Sequence, residues 1–575
     1  MTGSILPIMK IFVVLLLAAV ARAGSTYFID CATGDDAAAG SSRESAWRSV
    51  QAISAHEFRV GDKILLKRGT QCTGTLWPKG SGTAGAPIVL DAYGEGALPK
   101  IQAEPTAEAA FRLFNQEYRT VQHLEFIGGQ PHGVYISGTK GVLHGIHLRG
   151  LIVHGVTGEP KNKEGGLVVI APGSAEQRFD DVLVDGVTAY GTSQWAGILV
   201  GGVAHGFLPE QARSTGVAIR NAIVHDVGGD GIVLFQVNRG TIEGSVAWYT
   251  GMQRTETIGT PNAIWTWMCR ACAVRCSEAF LTDSPGVDGG AFDIDYGDDD
   301  NVVEDSYGHD TQGYCVAIFG AGRVTTNSVV RRNVCAANGR SPRLAALQGG
   351  VFLSTWNSGR LQGVEFSENR IYWNPPIATA AIVNIAELNG RGTFANNTIE
   401  SSVPRVVRSN ASLQFDHNAI RKLTAPPADP APRMPVPRLT LRDAGGRAAA
   451  IDARPGAWRL YGFVPRSGDD VAILASAYRQ FYAAGLDALL IAPAGDAEQA
   501  RNLCWDWNLG DMAVLFDDGS ARSALQVSVI PAAVLVNAAG QTVWRHDGPT
   551  SPGDLGLALR RHLGNPDYAQ LISEP

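Results

Sequence analysis

Asp293 and Asp295 stand two residues apart in the phrase Ala291-Phe292-Asp293-Ile294-Asp295. On a β-strand that spacing puts both side chains on one face, ~6.6 Å apart along the backbone. Two carboxyl groups so placed can divide acid–base work. One, its pKa raised by the other, protonates a leaving oxygen, and the second acts as base or nucleophile. Side-chain rotation reaches both separations used at an acetal carbon, about 5–5.5 Å for retention and about 6.5–9.5 Å for inversion. One phrase earlier, Trp265 and Trp267 alternate in the same way. Flat indoles suit the C–H faces of pyranose rings. Further ionisable groups gather nearby. His309-Asp310 ends the same repeat and could transfer a proton. His225-Asp226 holds the matching place before Asp230. Asp230 and Asp288 precede strand phrases, and Phe319 falls two repeats beyond Trp267. Asp293, Asp295, His309 and Asp310 are therefore the catalytic candidates, and Trp265, Trp267, Asp230, Asp288 and Phe319 the substrate contacts.

These groups need a scaffold that repeats. A small residue followed by alternating side chains recurs at Gly197, Gly231, Ala263, Ala291, Cys315 and Gly350, 24 to 35 residues apart. A short strand at that interval marks a solenoid, in which each coil buries its apolar face against its neighbours. A second phrase follows each turn, as in Val302-Val303-Glu304-Asp305 and Val329-Val330-Arg331-Arg332-Asn333, and ends in Asn, Asp or Gly. Stacked Asn side chains can satisfy backbone groups at such a corner. The pattern predicts a parallel β-helix over residues 119–422. Aligning its first phrases gives one outward column of Val233, Trp265, Asp293, Ala317 and Phe352, and another of Phe235, Trp267, Asp295, Phe319 and Ser354. With coils ~4.8 Å apart, each Trp should lie beside an Asp, and both acids should face solvent.

The remainder divides by composition. Residues 1–23 read as an export signal: Lys10, an apolar run from Ile11 to Val20, and Ala21-Arg22-Ala23. The run is too short to span a bilayer, so an exported, periplasmic or extracellular protein without a membrane span is expected. Residues 24–118 form an N-terminal cap, with a helix near residues 46–53 and strands at residues 62–66 and 87–90. Residues 423–438 carry six prolines, a semi-rigid spacer. Residues 439–575 alternate strands and helices, an α/β pattern. A net charge of −7 without a basic stripe argues against a nucleic-acid partner. Cys31 and Cys72 could pair in an oxidising compartment. Cys269, Cys272 and Cys276 lack a fourth ligand and read as small buried residues, so no metal site is assigned. No cofactor is required. Asp298-Asp299-Asp300-Asn301 reads as an exposed turn, with Ca²⁺ binding as its alternative.

The phrases Ala263–Trp267, Gly289–Asp295 and Tyr307–Asp310, with Trp77-Pro78-Lys79-Gly80-Ser81-Gly82 in the cap, resemble secreted bacterial right-handed parallel β-helix proteins. The resemblance implies a polysaccharide substrate and a glycoside hydrolase, with a polysaccharide lyase or a non-catalytic carbohydrate-binding scaffold as alternatives. A lyase of this kind often uses a Lys or Arg base, and the repeats are poor in Lys. Val527-Ser528-Val529-Ile530-Pro531 and the following apolar strand resemble the thioredoxin-like fold of exported thiol reductases. Where that family carries Cys-x-x-Cys, this chain has Val464-Pro465-Arg466-Ser467-Gly468. Without a thiolate the domain should be redox-inactive, leaving docking of a protein partner or stabilisation as its role.

Overall fold

The computed structural model describes residues 24–571, apart from 253–257, 424–434, 437–438, 452–455, 496, 511 and 570. The segment read above as an export signal and most of the Pro-rich segment lie outside the described residues. Three long parallel sheets of fifteen, thirteen and eleven strands share the chain from Thr26 to Lys422. Through the repeats, successive turns of the chain stack strands onto each sheet, which is a parallel β-helix. Alternation explains the barrel. Ile264, Phe292, Ile294, Val316 and Ile318 point inward and join one continuous apolar core, while the residues between them point away from it.

The expected register is present. Val233 pairs with Trp265, Trp265 with Asp293, Asp293 with Ala317, and Ala317 with Phe352. Corners are held by the predicted side-chain ladder. Asn333, Asn369 and Asn397 each donate to the Oδ1 of the next Asn at 2.9–3.1 Å, ending at Asn418. The residue before each Asn takes the left-handed conformation, as at Arg332 (φ 55°), Glu368 (φ 59°) and Asn396 (φ 56°). The cap helix spans Val50–Ala55 and starts later than expected because Ser49 is its N-cap, accepting from the Ala52 amide. Cys31 and Cys72 form a disulfide, and so do Cys315 and Cys335. The second pair was hidden in strand phrases.

Each coil has three faces, and this separates two groups that the repeat pattern had merged. His225 and His309 lie on the thirteen-stranded sheet, away from the acids. There they form rungs of a stack running Tyr190, His225, Trp248, Phe280, His309, with ring centres 4.4–5.7 Å apart. The C-terminal domain covers this face. It is a seven-stranded mixed sheet with helices Val471–Phe481 and Pro552–Leu563 turned towards the β-helix. Val471, Leu474 and Leu559 pack with Ile223, Trp248 and Phe280 in one buried cluster. Polar ties line the seam: Arg68 pairs with Asp506 at 2.6 Å, Gln480 donates to Glu278 at 2.9 Å, and Arg560 pairs with Asp310. The partner of this face of the domain is the β-helix of the same chain.

Candidate active site

The eleven-stranded sheet carries the acids. Asp293 lies in strand Phe292–Ile294 and Asp295 just beyond its end. Both face away from the barrel, yet neither meets bulk solvent: Asp293 is 2% and Asp295 8% exposed. The expectation of a solvent-facing rung is corrected here. The loop before strand Gly166–Ile170, the segment from Ile258 to Asn262 and helix Pro342–Gln348 arch over the sheet. They enclose a cavity of about 800 Å³ with Asp288, Asp293 and Asp295 in its lining. Trp265, Trp267 and Phe319 line it too, and all three are buried. Trp265 and Trp267 thus pack under loops and border the cavity at once, and Trp267 meets the Tyr296 ring edge-on at 5.7 Å.

Asn262 organises the floor, and sequence reasoning missed it. Its Nδ2 donates to Asp293 Oδ2 at 3.2 Å, and its Oδ1 accepts from the Tyr314 hydroxyl at 2.8 Å and the Gly290 amide at 3.1 Å. Its own amide donates to Asp230 Oδ1 at 3.1 Å. A Cβ at Gly290 would stand 1.9 Å from the Tyr314 ring, so glycine there admits the tyrosine. The signal available in the sequence was position: Asn262 directly precedes the Ala263 phrase.

Burial is the main force on every acid here, and it favours the proton-bearing form. Asp293 is pushed well above the usual carboxylate range by burial and by the charges of Asp295, Asp288 and Asp298. Asp295 is also pushed well up by burial, opposed by the Tyr296 amide that donates to it at 2.7 Å. Asp288 rises to about 6 through burial, opposed first by the Thr260 hydroxyl. Of the cations lining the cavity, Lys163 is one whose charge opposes the rise of all three acids. Its Nζ lies 4.9 Å from the Trp265 ring centre and 5.2 Å from that of Trp195.

Other expected site residues fall elsewhere. Asp230 is fully buried behind Trp195, whose Nε1 donates to it at 2.5 Å. It orients Asn262 and does not line the cavity. His309 and Asp310 lie at the domain seam, tied to Glu278, Arg560 and Tyr568. They have no path to the acids, because strands of different sheets carry the two groups. Asp298 is no exposed turn residue: it is fully buried, accepting from Thr266 Oγ1 and the Cys269 amide at 2.6 Å each. Only Asp299 and Asp300 reach the surface, where they face Thr326, Asn327 and Arg270. Cys269 and Cys272 are buried in the barrel core.

No family model matches the chain. A lacto-N-biosidase of Bifidobacterium longum subsp. longum is 25% identical over 48% of this chain, which spans about a quarter (24%) of that curated relative. The crystal structure of a GH136 lacto-N-biosidase from Eubacterium ramulus superposes with a TM-score of 0.51 at 20% identity, covering 69% of this chain and 68% of that one. That likeness is one of fold.

Proposed function

We propose that the chain is a glycoside hydrolase whose reaction centre is the carboxyl cluster of Asp288, Asp293 and Asp295. The observation that carries this reading is their convergence in one roofed cavity beside two indoles, each acid held above its ordinary pKa. The likeness to a curated lacto-N-biosidase supports it. An alternative elimination reaction gains no support from that relative.

Asp295, whose charge is favoured by the Tyr296 amide, serves as base or nucleophile towards the anomeric carbon. In this reading Asp293, two residues before it on the same strand face, is its acid. Its proton is favoured by burial and by Asp295, and the Asn262 amide fixes its orientation. A second reading assigns the acid to Asp288. Its value of about 6 suits proton donation near neutrality, and it is less deeply buried than the other two. Trp265 and Trp267 would seat the sugar rings.

The wider reading follows from this one. A polysaccharide or oligosaccharide is the substrate class, and lacto-N-biose units are the first to test because of the relative's name. Export suits a chain carrying two disulfides. The division into a cap (24–118), a β-helix (119–422) and a C-terminal domain (439–575), read from composition, is part of this proposal, with the strands of the cap continuing the sheets of the β-helix. The C-terminal domain, with mixed sheet and no Cys-x-x-Cys, is assigned as a redox-inactive thioredoxin-like buttress.

The test is release of the leaving group from an aryl β-lacto-N-bioside and from lacto-N-biose-capped oligosaccharides, by wild type and by Asp288→Asn, Asp293→Asn and Asp295→Asn. Loss of at least a hundredfold is expected in Asp295→Asn and in one of the other two, which then identifies the acid. Full activity in all three variants would overturn the assignment.

A further inference from the structure

Twelve large apolar side chains are exposed among the described residues. Four of them ring the mouth of the acidic cavity: Val287 (51%), Leu347 (47%), Ile385 (46%) and Trp356 (43%). They come from four separate segments: the turn before Asp288, helix Pro342–Gln348, the end of strand Val351–Trp356, and the turn after strand Ile382–Asn384. Folding alone gives no reason for four segments to aim apolar groups at one opening. An exposed apolar patch beside a cavity marks a binding surface.

The patch is held rigidly. Arg343 donates to the carbonyls of Gly286 and Ser284, and Gln348 Nε2 to that of Asp288 at 3.1 Å. Arg408 donates to the carbonyls of Ala346 and Leu347 at 3.2 and 2.6 Å. The helix is thereby tied to the Asp288 turn on one side and to the last coils on the other. Below the mouth, Phe319 and Phe352 continue the apolar wall.

The cavity therefore has two unlike ends. Towards the N-terminal coils it offers Lys161, Asn162 and Lys163 with the two indoles. Towards the C-terminal coils it offers branched aliphatic and aromatic groups, with Ser354 and the helix-bound Arg408 as the polar side chains there, and the carboxylates lie between. Three of the four mouth residues, Val287, Leu347 and Ile385, present neither a flat face for a sugar ring nor a hydrogen bond for its hydroxyls; the fourth, Trp356, is an indole. Resting on the hydrolase reading above, we infer that the substrate is an amphipathic glycoside. Its sugar occupies the indole end and its apolar aglycone, an alkyl or aryl group, occupies the mouth. Hydrolysis breaks the bond between the anomeric carbon and the aglycone oxygen. The acid carboxyl supplies the proton with which the aglycone leaves as an alcohol. Water supplies the hydroxyl that forms the new bond to the anomeric carbon, and its remaining proton restores the pair of carboxyl groups.

The experiment uses the full chain carrying Asp295→Asn, so that binding is read without turnover. Methyl and octyl β-glycosides of glucose, galactose, N-acetylglucosamine and lacto-N-biose are titrated calorimetrically, the octyl compounds below their micelle concentration. For at least one sugar the octyl glycoside is expected to bind ten times more tightly than the methyl one. Leu347→Asn with Ile385→Asn, or Trp356→Ser alone, should cut that gap to under threefold. No gap for any sugar, or a gap that survives both variants, overturns the inference. So does a wild-type dimer that the double variant dissociates in sedimentation, which would make the patch a self-interface. Turnover by wild type is read separately: a gap that follows the variants without any turnover refutes the hydrolase reading and leaves the amphipathic ligand standing.

Discussion

Asp298 lies beneath the site with no exposure, and its hydrogen bonds from Thr266, the Cys269 amide and Asn301 do not offset the cost of burying its charge. Burial raises its pKa from 3.8 to about 7. Between those values the native chain holds a proton that the unfolded chain has released, so stability falls as pH rises through this window. About three units at ~1.36 kcal/mol each give a penalty of ~4 kcal/mol, complete above pH ~7 and absent near pH ~4. Asp298→Asn removes the penalty at little cost in bonding. The Asn Oδ1 keeps the Cys269 amide, and its Nδ2 can donate to Thr266 Oγ1. The variant should therefore be more stable than wild type at pH 8, by up to ~4 kcal/mol, with the gap closing towards pH 4. Thermal unfolding of both proteins across that range measures it. A variant less stable than wild type at pH 8, or a gap that does not change with pH, would refute the reasoning.

Lys163 opposes the raised values of Asp230, Asp288, Asp293 and Asp295. Lys163→Met should shift the acid limb of kcat/KM to higher pH, and Lys163→Arg should restore it; the pH profile of each variant checks this. At the domain seam, Arg560 is half-buried against Asp310 and Tyr568. Arg560→Met leaves Asp310 buried without its cation and should cost ~3–5 kcal/mol, read as a lower unfolding midpoint with the acids of the cavity unaffected.

The fold could be read from the chain because its phrases obey two simple periods, alternation within a strand and one coil between strands. That placed Trp265 beside Asp293 without coordinates. What escaped was set by geometry across coils. His309 follows Asp295 closely in sequence but belongs to another face of the coil, under a domain that begins more than a hundred residues later. The roof over the acids comes from loops of irregular length, so alternation could show which way Asp293 points but not that a lid covers it. Asn262 and Tyr314 act through side chains that reach across strands, a contact no local pattern encodes. The Asp298 run looked like a solvated turn because its composition is acidic; its first member is drawn inward by Thr266 and the Cys269 amide.

The most direct measurement is a crystal structure of Asp295→Asn with a bound oligosaccharide or glycoside. The account predicts the glycosidic oxygen within ~3 Å of the carboxyl of Asp293 or Asp288, the anomeric carbon facing residue 295, and a sugar ring on Trp265 or Trp267. A ligand bound with its glycosidic bond away from all three carboxyl groups would contradict it.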